Sequence, residues 1–103
     1  MSRGREIDLR QHKQLLKNSA EVARIWVNDH GPSTVVIDPG VLDDPFAFGI
    51  LMVDTVRHAA RAYAHAQGVT EAHALMLIWG GVDAERARPT AAPQTITPGE
   101  SIN

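Results

Sequence analysis

The stretch DDPFAFGILMVDTVRHAARAYAHAQG, residues 43–68, constrains the fold more than any other part of the chain. Asp43 or Asp44 can accept hydrogen bonds from the free amides of a first helical turn. Pro45 suits the first helical position, where its missing N–H costs nothing. Gly68 stands about twenty residues later, where a left-handed terminal residue is expected. Thr70 can cap a second helix with Glu71 in its first turn, and Leu75, Ile78, Trp79 and Val82 then recur at helical spacing. Gly80 and Gly81 weaken that helix by about 1 kcal/mol each relative to Ala, so a bend, or an end and restart, is expected there. Pro89 stops it.

Upstream, EVARIWV (21–27) and TVVID (34–38) are β-branched and aromatic, and NDHGPS between them supplies Gly31 and Pro32 for a turn. Two such runs read as an antiparallel β-hairpin, and PGVLDDP turns the chain into the long helix. The order is β-β-α-α, an α+β domain over residues 20–88. Residues 1–19 form a flexible polar segment with a weak helix around 8–17. Residues 89–103, with Pro89, Pro93 and Pro98 and little to bury, read as a disordered tail.

With 103 residues, 44% hydrophobic and 21% charged, one small globular domain is expected. A net charge of −2 gives no general attraction to phosphate backbones or anionic lipid, so nucleic acid is an improbable partner. The absence of cysteine removes disulfides, thiolate catalysis and Cys-type zinc sites. MSRGREIDLRQHK lacks the apolar run of a signal peptide, and the longest apolar run, roughly 46–53, falls short of the ~20 residues that span a bilayer. A cytoplasmic protein without membrane contact is expected.

A lone two-stranded hairpin is marginal in water. Here Ile25 and Val27 face one side and Val22 and Trp26 the other, and one helical hairpin can cover one side only. The exposed remainder invites association. The expectation is a homodimer, with hairpins pairing into a four-stranded sheet and Trp26, Ile25, Val35 and Ile37 at the interface. The alternative is that the N-terminal segment covers the second face.

On the long helix, Asp54, Arg57, His58, Arg61 and His65 share one arc of about 100°, opposite Phe48, Met52, Val56, Ala59 and Tyr63. Amphipathic helices show this pattern whether or not they bind anything. The simpler reading is therefore a solvated face, with Asp54 and His58 as a stabilising i,i+4 pair. A metal would need three or more converging ligands from a set such as Asp54, His58, His65 and His73. Two His at i,i+7 reach poorly, and Arg57 and Arg61 repel a cation, so no metal or cofactor is expected. An anion site is the stronger functional alternative, with Arg57, Arg61 and His58 donating to a carboxylate or phosphate.

Other candidates carry less. There is no GxSxG elbow and no Gly-rich phosphate loop in a strand-to-helix setting. Gly80 and Gly81 suit close helix packing better than a ligand cradle. Asp83 and Glu85 point to different faces, which spoils acid/base partnership, and they are expected in solvent or paired with Arg86 and Arg88. Trp26 and Trp79 fit a core, and His12 and His30 sit in flexible segments. No catalytic set emerges, and enzymatic activity is not indicated.

AEVARIWV, DDPFAFGILMVDTVRHAARAY and GVDAERARPT together resemble small bacterial proteins of the domain of unknown function 5076 type, over about residues 20–90. The helix motif is the most specific part: DDP, a Gly four residues past that Pro, then an Asp followed by RH and an AY pair. Members of that family often carry Trp where Phe48 stands, which keeps an aromatic in the core. The resemblance implies a short α+β domain of the bacterial cytoplasm with no assigned activity, cofactor or catalytic residue, and it draws attention to Asp43, Asp44, Asp54, Arg57 and His58. The expected role is a homodimeric accessory or protein-interaction module. The alternative is a small ligand-, anion- or metal-binding domain using the charged face of helix 45–67.

Overall fold

Alternation in EVARIWV and TVVID yields two short strands, β1 (Ala23–Val27) and β2 (Ser33–Ile37), in a computed structural model that describes residues 5–92 and 94–99. They pair antiparallel, with Ala23 opposite Ile37, Ile25 opposite Val35 and Trp26 opposite Thr34. The intervening turn is closed by Asn28, whose side-chain amide donates to the Pro32 carbonyl and to Thr34 Oγ1, the latter at 3.0 Å.

Directly opposed residues share a face of a sheet. Ala23, Ile25, Val27, Val35 and Ile37 therefore stand on one side, and Arg24, Trp26, Thr34 and Val36 on the other. Both faces carry apolar side chains, as the sequence pattern implies.

A third strand corrects the reading of the tail. Gln94–Ile96 forms β3, parallel to β2, giving the order β1-β2-β3. Thr34 Oγ1 donates to Gln94 Oε1 at 3.2 Å, so one polar relay from Asn28 crosses the turn, β2 and β3. The QTIT run is β-branched, but four residues between Pro93 and Pro98 give too short a pattern to stand out. The expectation of disorder for residues 93 and 100–103 falls outside the described residues.

Helix α1 (Lys13–Asn18) is a single exposed turn and a half. Helix α2 (Pro45–Gln67) starts as its sequence dictates: Asp44 caps it, its Oδ1 accepting the Phe46 N–H at 3.0 Å, and Pro45 follows. It ends at Gly68, whose φ of 69° lies in the left-handed region. The Gly68 and Val69 N–H groups both return to the Ala64 carbonyl, at 3.0 and 3.2 Å. Thr70 Oγ1 accepts the His73 N–H at 3.1 Å and opens α3 (Glu71–Ala87). Against expectation, α3 passes through Gly80 and Gly81 without a break. Neither glycine is packed against a neighbour: a methyl group on either would meet no heavy atom within 4 Å, so the close helix packing expected of them is not what they serve within the chain.

Glu85 also departs from the sequence reading. Its carboxylate accepts the Thr90 N–H at 2.7 Å and ties down the chain leaving α3, instead of pairing with Arg86 or Arg88.

Helices α2 and α3 pack as a hairpin, and Ala60 and Ala74, one on each, are the two buried residues among those described. Small side chains at this crossing let the helices approach closely. The sheet stands apart: no Cα of the three strands lies within 8 Å of a Cα in α2 or α3. The radius of gyration is 15.5 Å, against about 13 Å for a compact domain of this length. The accessible surface is 8909 Å², where a compact monomer of 11.2 kDa exposes about 5,700 Å².

Candidate functional site

Two surfaces carry the residues that the sequence singles out, and the fold keeps them separate. The first is the sheet. β1 and β2 hold Ile25, Val35 and Ile37 on one face and Trp26 on the other, so the four residues expected at an interface do not form one patch. The Trp26 face is partly occupied by the chain's own N-terminal segment. Glu6 pairs with Arg24 at 3.6 Å, and Arg5 pairs with Asp29 at the end of the hairpin. Arg24 is also held by Glu21, Nε to Oε2 at 3.0 Å. That bond keeps the Glu21 carboxyl below, and the Arg24 guanidinium above, its ordinary range.

Arg5, Trp26, Val36, Gln94 and Ile96 help to line an open trough of about 940 Å³ on this side. Trp26 is half-buried there. On the opposite face Ala23, Val35 and Ile37 are half-buried, while Ile25 is 63% exposed and Val27 is 81% exposed.

The second surface is α2. Asp54, Arg57, His58, Arg61 and His65 are all exposed on one side of the helix. Arg61 Nε lies 3.8 Å from Glu71 Oε2 at the start of α3, a contact between two exposed side chains. Such a pair is worth little in water. None of the five lines the sheet trough or the second concavity, of about 690 Å³, where Pro32 and Ser33 approach Gly81, Val82, Glu85 and Arg86. The helix places them side by side and does not make them converge. Among the described residues, no three His, Cys, Asp or Glu side chains are grouped to hold a metal ion, and no helix is long and apolar enough to cross a membrane.

A third feature escapes the sequence reading. The apolar side of α2 was expected at Phe48, Met52, Val56, Ala59 and Tyr63; of these, Tyr63 is exposed and the rest are half-buried. The first half of the helix shows a second apolar stripe, Phe46, Ile50 and Val53, and it faces solvent, with Phe46 77% exposed. Gly49 lies within it at the i,i+3,i+4,i+7 spacing of one helix face. A methyl group placed on Gly49 would meet no heavy atom within 4 Å. The signal was present in the sequence: residues 46–53 are apolar nearly all round the helix, and a helix of that kind has neighbours on more than one side.

No curated protein matches the chain. A solved structure from the photosynthetic bacterium Rhodopseudomonas palustrus CGA009, provisionally described as a pyruvate dehydrogenase, is similar to it: 32% identical, with 100% of each chain covered and a TM-score of 0.65. A family model described as "Domain of unknown function (DUF5076)" matches residues 13–90, the span from α1 to the end of α3. The chain belongs to the DUF5076 family.

Proposed function

We propose that the chain works as a homodimeric accessory or protein-interaction module. One observation carries the reading: an accessible surface of 8909 Å² exceeds that of a compact monomer of the same mass by about 3,200 Å². The excess is apolar where it matters, at Ile25, Val27, Phe46, Ile50, Met76 and Leu77. Burying so little apolar surface leaves scant offset for the conformational entropy lost on folding. A second chain supplies part of the missing burial: two chains bring an excess of about 6,400 Å², and homodimer interfaces of roughly 2,000–5,000 Å² take up much of it.

Sedimentation equilibrium of the full chain and of Val27→Asp tests the reading. Val27 is 81% exposed, so the substitution removes no buried contact within the chain, and the expected result is a dimeric mass for the parent and a monomeric mass for the variant, folded or not by circular dichroism. A parent that stays monomeric at high micromolar concentration defeats the proposal.

A second reading draws on the relative described as a pyruvate dehydrogenase. Arg57, His58 and Arg61 offer donors that suit a small carboxylate such as pyruvate. Their full exposure and lack of convergence make this the weaker reading, because open, unconverged donors pay for binding without desolvated gain. Calorimetric titration with pyruvate tests it: saturable heat that disappears in Arg57→Ala and Arg61→Ala supports it, and no heat removes it.

A further inference from the structure

We infer that the dimer is reciprocal, with the sheet of each copy seated on the helical hairpin of the other. Ile25 and Val27 would then pack against Phe46, Gly49, Ile50 and Val53 of the partner subunit. The inference rests on the homodimer reading and specifies its geometry.

The sheet face that carries Ile25 and Val27 is the more exposed one along β1, although Val35 and Ile37 beside them are half-buried, and Arg5 and Glu6 reach the other face. A sheet with one bare apolar face is ordinarily covered by helices, yet neither helix of the same chain comes within 8 Å of it, Cα to Cα. The complementary surface exists on α2 and is equally bare, with Phe46 77% exposed. Neither Phe46, Gly49, Ile50 and Val53 nor Ile25 and Val27 carry charge; the helix stripe is bordered by Asp54, one turn beyond Ile50, and Arg57, one turn beyond Val53.

The dimensions agree. Phe46 to Val53 extends about 10 Å along the helix at 1.5 Å per residue, and a five-residue strand is about 17 Å long. Gly49 at the centre of the stripe serves nothing within its own chain, but its missing side chain admits a strand to close range. A two-fold arrangement satisfies both patches twice with one contact type, as an isologous interface requires. Sheet-to-sheet pairing would cover Ile25 and Val27 and leave Phe46 and Ile50 in water, so the area to be buried favours the reciprocal form.

The chain has no cysteine, so single-cysteine variants report contacts without background. An affinity-tagged Val27→Cys chain is co-expressed with an untagged Phe46→Cys or Ile50→Cys chain and oxidised, and sedimentation is run on the same samples. The expected product is a covalent species of one tagged and one untagged chain, formed in far higher yield than either like-with-like species. Covalent pairs formed only between like positions, or a dimeric mass with no covalent pair, overturn the reciprocal arrangement and leave the homodimer standing. A monomeric mass without covalent product overturns both.

Discussion

At the scale of single residues, the helix ends show most directly how sequence becomes structure. Thr70 accepts the His73 N–H with its hydroxyl, one of the orphan donors of a helix start. Thr70→Ala should therefore lower stability by about 1 kcal/mol, read as a shift of the urea midpoint at unchanged slope, while Thr70→Ser should keep most of it. Glu21 offers a test that depends on pH. The Arg24 side chain holds its carboxyl below the ordinary glutamate value of 4.5. A depressed carboxylate contributes stability that is complete above the unfolded value and is lost as pH falls through the folded one. Both side chains are about half exposed, so the effect is a few tenths of a kcal/mol. The parent should exceed Glu21→Gln by that amount near pH 7, and the two urea curves should converge as the pH falls below the ordinary glutamate value and through the lowered folded one.

At the scale of elements, the two long helices were the most legible part of the chain. Asp44, Pro45, Gly68 and Thr70 mark three of their four ends, and the structure uses each for the purpose its chemistry suggests. The hairpin was equally readable, because β-branched alternation and a Gly/Pro turn leave few other options. Strand β3 was not, since a three-residue strand owes its existence to a distant partner rather than to its own pattern. The candidate site divides in the same way. The arc of Asp54, Arg57, His58, Arg61 and His65 could be drawn from periodicity alone. The bare stripe of Phe46, Ile50 and Val53 could not, because periodicity cannot say which side of an apolar helix start is covered.

Gly80 and Gly81 extend this point to a measurement. A methyl group on either would meet no heavy atom within 4 Å, so Gly80→Ala and Gly81→Ala should each raise stability by about 1 kcal/mol. Thermal unfolding checks it. A fall in the midpoint would reveal a neighbour from another chain packed against α3 at that position.

At the scale of the whole molecule, Ala60 and Ala74 are the two buried residues among those described, and under the proposed homodimer the stability of the fold would obey mass action. The thermal midpoint of the full chain should rise with protein concentration, whereas that of Val27→Asp should be lower and independent of it. Circular dichroism melts over a hundredfold concentration range distinguish the two.

The parallel pairing of β2 with β3 also imposes an order in time. Thr34 and Gln94 are 60 positions apart, and the helical hairpin is made from the chain between them. Helices and hairpins close within microseconds, while contacts of such separation come late. The outer edge of β2 therefore stands open until β3 pairs with it, and its unpaired backbone groups can capture a strand from any copy that is folding nearby. Refolding at high concentration should for that reason yield exchanged or aggregated chains, and the speed of β3 pairing sets how long that hazard lasts.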